Sequence, residues 1–208
     1  ASSSSVYGVS EIPDVTEDHP LKPLTDYSKY KALCEPVLLN EQTEHFIPTV
    51  LRPATVCGYS PRQRLDLTVN ILTNHAVHNR KIKVFGGSQM RPNLHIEDMT
   101  DLYVLLLKLP GAKILGKIFN AGYENHTVRD LALTAQRVVS SMMPELGPIE
   151  IETTPTDDNR SYHISSEKIK RELGFVPVRS LEKAVGDLAD ALRAGLVSDA
   201  LNNPRYYN

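Results

Sequence analysis

Tyr27 and Lys31 stand four residues apart in the stretch DYSKYKALCE, residues 26–35. At helical pitch that spacing puts both side chains on one face, one turn apart. A free phenol, with a pKa of about 10, is a poor base near neutrality. A lysine ammonium held beside it stabilises the phenolate and lowers that value. Such a pair can take a proton from an alcohol while hydride leaves the same carbon. A hydroxyl donor aimed at the reacting oxygen would complete the site. Ser3, in the opening ASSSSVYGVS, lies upstream at what reads as a strand end, where α/β sheets place reacting groups. The pair alone is a weak signal, because a tyrosine packed on a lysine stem has the same spacing.

Elements of two periods must hold these groups. Short β-rich runs alternate with helix-length amphipathic runs, the pattern of βα units rather than of a bundle or sandwich. TVLRPATV (49–56), KIKVFGG (81–87), KIFNAG (117–122) and IEIETT (149–154) read as strands. Apolar spacings of three and four mark one helix through Leu65, Val69, Leu72 and Ala76, and another through Met99, Leu102, Leu106 and Leu109. A third starts at Thr127, an N-cap with Asp130 three residues on, and presents Leu131, Ala135, Val138 and Met142. A fourth follows Ser180 with Leu181, Val185, Leu188 and Leu192. Pro36 falls inside the helix expected to carry Tyr27 and Lys31. There it removes a backbone donor and crowds the carbonyl of Ala32, at about 3 kcal/mol, so a kink or early break is expected.

The 208 residues carry a net charge of −2, with 41% apolar and 23% charged residues, an ordinary globular composition. That balance gives no general attraction to nucleic acid or anionic lipid, so a bound phosphate must be held by local arginines. No apolar run reaches the length of a membrane span, and no targeting signal is seen. Cys34 and Cys57 lack CxxC spacing and read as reduced thiols of a cytoplasmic protein. GAKILGKI (111–118) has phosphate-loop spacing, yet Ile118 stands where magnesium needs a hydroxyl. His75 and His78 have no third ligand nearby and read as surface or packing histidines, so no metal site is expected. No GxGxxG fingerprint occurs anywhere in the chain.

SSSSVYG, YSKYK, LRPATVCG, RPNLHIEDM, FNAG and SSEKIKRELGF follow one another in this order. Together they resemble the extended short-chain dehydrogenase/reductase family, in its NAD-dependent nucleotide-sugar epimerase/dehydratase branch, over nearly the whole chain. The resemblance implies an α/β fold: part of a doubly wound parallel sheet of Rossmann type, plus a smaller C-terminal α/β substrate domain. Residues 1–58 would belong to the NAD-binding domain. Residues 59–208 would form mainly the nucleotide-sugar domain, with segments around 88–122 returning to the Rossmann core. The first mononucleotide-binding half, about 100 residues if built from three βα units, would lie outside these residues.

Carried over by position, Ser3 matches the catalytic Ser/Thr, Tyr27 the base, and Lys31 its partner, which also contacts the nicotinamide ribose. Pro53 falls where the backbone meets the nicotinamide. Thr55 falls where many members place a substrate-binding Asn. Arg91 matches an arginine that grips the diphosphate, a role a guanidinium fork suits; Arg160 is a second candidate, with a surface salt bridge to Asp157 or Asp158 as its alternative. The implied cofactor is NAD, with NADP left open, and the implied substrate is a nucleotide-diphosphate sugar handled by a homodimer. Family dehydratases carry Asp-Glu just after the catalytic Thr, where this chain has Ser4 and Ser5. That departure favours 4-epimerisation through a 4-keto sugar over 4,6-dehydration. A reductase of the same family and a non-catalytic binding or scaffold member are the alternatives. The 208 residues by themselves are expected to be inactive, since the pyrophosphate would lack its glycine cradle.

Overall fold

The computed structural model describes residues 1–10, 12–156, 161 and 163–207. In chain order its helices are α1 (Asp26–Asn40), α2 (Thr68–His78), α3 (Ile96–Lys108), α4 (Gly111–Ile114), α5 (Val128–Met142), α6 (Glu167–Leu173) and α7 (Leu181–Arg193). The strands are β1 (Thr49–Pro53), β2 (Thr55–Cys57), β3 (Lys81–Phe85), β4 (Met90–His95), β5 (Lys117–Ala121), β6 (Glu124–Thr127) and β7 (Glu150–Thr154). Strands and helices alternate, and the pairings β1–β5, β2–β4 and β3–β7 are parallel, as βα connections require. Among the described residues only β4–β6 pairs antiparallel, with Arg91 opposite His126. No helix among the described residues is long and apolar enough to cross a membrane.

The run expected as one strand over 49–56 divides. Ala54 donates its N–H to the Ala121 carbonyl at 2.8 Å, and Thr55 then starts a different sheet, in register with Asn93. Two apolar clusters flank this switch. One packs Leu72 of α2, Leu131 and Val139 of α5, and Val185 and Leu188 of α7 over Ile82 of β3. The other gathers Val6, Tyr7, Leu51, Leu94, Leu102 and Phe119, and Ile164, Ile169 and Phe175 join it from further along the chain.

The helix starts follow their caps. Thr127 Oγ1 accepts the Asp130 N–H at 3.1 Å, and Ser180 Oγ accepts from Lys183 at 3.3 Å. The break expected at Pro36 does not occur: α1 runs through it to Asn40. Proline removes one hydrogen bond there, but the residue before it, Glu35, is clamped by Arg52 and Ser2, which holds the helix across the gap.

Candidate active site

Helix α1 opens on a capping box that sets the position of Tyr27. Thr25 Oγ1 accepts the Ser28 N–H at 3.3 Å, while Ser28 Oγ accepts the Thr25 N–H at 3.1 Å. Tyr27 therefore sits in the first turn and Lys31 one turn on. The Lys31 ammonium lies 5.8 Å from the Tyr27 ring centroid, within cation–π range, and donates to the Ala1 carbonyl at 2.8 Å.

Ala1–Ser3 approaches alongside β1. Ser2 donates its N–H to the Leu51 carbonyl at 2.7 Å, and Ser3 is extended (φ −159°, ψ 146°) before a 3-10 turn, Ser4–Tyr7. Ser3 Oγ accepts the Ser5 N–H at 3.2 Å and lies 2.9 Å from Ser5 Oγ. In the Ser3–Ser5 hydroxyl pair either oxygen can be the donor, and the Ser3 hydrogen is free to point elsewhere when Ser5 donates. Ser3, Tyr27, Pro53, Thr55, Arg64 and Leu67 share the walls of one cavity of about 690 Å³. Ser4 and Ser5 also line it, and none of its described lining residues is a carboxylate.

Arg91 lines a different cavity, of about 390 Å³, with His75, Lys83, Phe85 and Gln89. One Arg91 guanidinium nitrogen donates to the Met90 carbonyl at 2.9 Å. His75 is held below its ordinary pKa by burial and, to a smaller extent, by the Lys83 charge. Arg160, Asp157 and Asp158 lie outside the described residues. The four positions Ser3, Tyr27, Pro53 and Thr55 thus meet at one cavity, Lys31 stands behind Tyr27, and Arg91 stands apart. Among the described residues no cluster of metal-ligating side chains occurs. Cys34 and Cys57 are both free thiols; burial pushes the Cys57 thiol up to about 12.

Two features escape the sequence reading. The first is the segment 64–68, which serves both cavities: Arg64 and Leu67 line the first, Asp66 and Thr68 the second. Arg64 and Asp66 pair through two contacts of 3.0 and 2.7 Å. That pairing, and to a smaller extent the nearby Tyr27 phenol, raise the Arg64 pKa. The alternation of charged and apolar residues in RLDLT, just before α2, is its only sequence signal.

The second is a buried polar network beneath the cavity. Arg52 Nε donates to Glu35 Oε1 at 3.0 Å, and Nη2 donates to Oε2 at 2.6 Å, with the two side chains only 4% and 5% exposed. Ser2 Oγ donates to Glu35 Oε1 at 2.5 Å, and Arg52 Nη1 donates to Tyr7 Oη at 2.8 Å. Tyr7 in turn donates to Asn120 Oδ1 at 2.7 Å. Burial alone would lower the Arg52 pKa, but the bonds to Glu35 and Tyr7 outweigh it and leave the value raised. A charged residue inside the apolar run TVLRP is the trace of this network in the sequence.

Parallel strands joined by helices, with a cavity lined by Ser3, Tyr27 and residues 53–56 where β1 gives way to β2, define an α/β protein of Rossmann type. Residues 1–122 match the NAD dependent epimerase/dehydratase family, and the chain belongs to that family. A dTDP-glucose 4,6-dehydratase of Streptomyces griseus is 28% identical over 200 residues, covering 93% of this chain and 55% of that protein. A UDP-glucose 4-epimerase of Lactobacillus helveticus is 26% identical over 199 residues, covering 85% and 58%. Among solved structures, the dTDP-glucose 4,6-dehydratase of Bacillus anthracis in complex with NAD superimposes with a TM-score of 0.77 at 23% identity, covering 94% of this chain and 61% of that one. The UDP-glucuronic acid 4-epimerase of Bacillus cereus, with UDP-glucuronic acid and NAD, gives 0.77 at 24% identity, covering 93% and 60%. The chain spans a little over half the length of these curated relatives.

Proposed function

We propose that the protein carrying this chain interconverts epimers of a nucleotide-diphosphate sugar at C4, by removing and returning hydride at one ring carbon. The observation that carries this reading is the cavity that Ser3 and Tyr27 share, with hydroxyls at Ser4 and Ser5 and no carboxylate among its described walls. Loss of water across C5–C6 needs an acid and a base of carboxylate type there, and hydroxyls of ordinary pKa cannot move those protons. Relatives of both kinds occur, so the cavity chemistry rather than the likeness favours epimerisation.

The residues present fit NAD at its nicotinamide end. Pro53 and Leu67 give flat apolar walls, and the Tyr27 hydroxyl and the Lys31 ammonium are polar groups suited to a ribose. NAD supplies the hydride acceptor and donor when bound. Tyr27 takes the proton from the sugar hydroxyl, with the Lys31 ammonium 5.8 Å from its ring centroid. Ser3, its oxygen fixed by Ser5, donates a hydrogen bond to the reacting oxygen. Returning hydride to the opposite face needs the keto sugar to turn, and the cavity volume leaves room for one ring to do so. Arg91 and Lys83, which line the second cavity, are the cations proposed to contact the phosphates. The role proposed for Thr55 is a hydrogen bond to the sugar. Residues 1–58 serve as the cofactor side and 59–208 mainly as the nucleotide-sugar side in this reading.

The test is incubation of the full-length protein with UDP-, GDP- and dTDP-sugars, followed by NMR of the products. Inversion at C4, with Tyr27→Phe lowering kcat by about 10²–10⁴, supports the reading. Accumulation of a 4-keto-6-deoxy sugar, or net consumption of NADH or NADPH, overturns it. Because these 208 residues hold no glycine fingerprint, turnover is proposed for the longer protein and not for this chain alone. Micromolar NAD⁺ binding by the isolated chain would refute that part.

A further inference from the structure

We propose that Glu35 is a positioning residue that sets the distance between Ser3 and the Tyr27–Lys31 pair. The proposal rests on the reading of that pair given above. Three separate segments carry the site: residues 1–5, helix α1 and the end of β1. Glu35, itself on α1, has its side chain bonded to the other two. It belongs to α1, one turn beyond Lys31 and two beyond Tyr27. Its Oε1 accepts from Ser2 Oγ, the neighbour of Ser3, at 2.5 Å. Both its oxygens accept from Arg52, the neighbour of Pro53, at 3.0 and 2.6 Å.

Apolar packing does little to fix α1 in place. Its buried residues are Ser28 and Glu35, both polar, while Tyr30, Leu33 and Val37 are 62–68% exposed. The helix is therefore registered against the serine segment by directional bonds. A carboxylate bonded by an arginine fork has one favoured orientation, and that geometry is transmitted to Ser2 and so to Ser3. Buried ion pairs add little net stability over apolar residues of the same shape, and they serve best where one arrangement must be selected. The Tyr7 hydroxyl extends the clamp: Arg52 reaches it at 2.8 Å, and it donates to Asn120 on β5.

The test compares Glu35→Gln, Ser2→Ala and the paired Glu35→Leu/Arg52→Met in the full-length protein. The paired variant removes both charges, so its thermal stability stays near that of the parent while the clamp is gone. The expected result is a kcat about 100-fold lower with KM within about twofold, the mark of misplaced reacting groups in a folded protein. Ser2→Ala should give the same split at smaller size. Recovery of kcat in the paired variant along with its stability would overturn the proposal, since Glu35 would then be only structural. Hydrogen exchange supplies an arm independent of turnover. Glu35→Gln and Ser2→Ala should speed exchange at the Ser5 amide and in α1 together, with α5 and α7 unchanged. Unchanged exchange in either of the first two segments would also overturn it. Should the parent protein act on no nucleotide sugar, the functional reading falls, and the exchange arm still decides whether Glu35 couples the two segments.

Discussion

Helices α7 and α1 are of similar length, 13 and 15 residues, and they are held in opposite ways. Helix α7 buries Leu181, Ala184, Val185, Leu188, Ala189, Ala191 and Leu192, an unbroken apolar face set against α2 and α5. Helix α1 turns Ser28 and Glu35 inward and exposes Tyr27, Tyr30, Leu33 and Val37. Burial of apolar area is non-directional, so α7 is held mainly by the volume its buried face fills. The bonds at Glu35 are directional and few, so α1 is fixed in register at little net gain in stability. The helix that carries the proposed chemistry is thus the one whose placement depends on polar geometry.

The sharpest way to break this contrast is to leave one charge of the clamp alone. Arg52→Met strands the Glu35 carboxylate in a site where the two side chains are 4% and 5% exposed, and should cost about 3–5 kcal/mol. Urea unfolding of the variant beside Glu35→Leu/Arg52→Met measures it. The paired variant should recover most of the loss. A single variant as stable as the parent would mean that water reaches Glu35 and that α1 is held by something else.

Next in size is a matched pair of leucines. Leu188 is fully buried and Leu33 is 62% exposed. Leu188→Ala should cost about 2–5 kcal/mol through lost burial and the cavity left behind. Leu33→Ala should stay within about 0.5 kcal/mol, as exposed substitutions do. Equal losses at the two sites would show that the outer face of α1 is covered after all, and the contrast would fail.

The same division decides what could be read from the sequence. Helices α5 and α7 were legible because their caps and apolar spacing are local: Thr127 with Asp130, Ser180 with Leu181, Val185 and Leu188. The Tyr27–Lys31 pair was legible for the same reason, being one helical turn. Strands β4 and β6 were not read, because MRPNLH holds a proline and ENHT is polar, and neither alternates. Nor was the Glu35–Arg52 bond, whose partners are 17 residues apart and follow no periodicity. Pro36 misled the reading, since its local cost of about 3 kcal/mol was set without knowledge of the clamp at its neighbour. Tertiary polar contacts leave little pattern in a sequence, and the proposed site rests on them.

The smallest effect concerns the far end of the clamp, and its sign follows from one group. Tyr7 is 1% exposed and its phenol is pushed up to about 12, mainly by burial, with Arg52 and Asn120 lowering it in part. An unfolded tyrosine titrates at about 10, so between these values the folded chain holds a proton that the unfolded chain has released. Stability from this group is fully present below about pH 10 and is lost as pH rises through about 12. The two-unit gap corresponds to about 3 kcal/mol at most. The α7 cluster holds a group of the same kind, since burial pushes the Cys57 thiol up to about 12, so both regions lose stability as pH rises and only the Tyr7 variant separates the share of the clamp. Tyr7→Phe removes the titration while leaving Arg52 and Asn120 without that partner, so the variant starts less stable at neutral pH. Its loss on going from pH 10 to pH 12 should nonetheless be smaller than that of the parent. Parallel pH curves for the two proteins would show that the Tyr7 phenol is not held neutral by its surroundings, and that the clamp ends at Arg52.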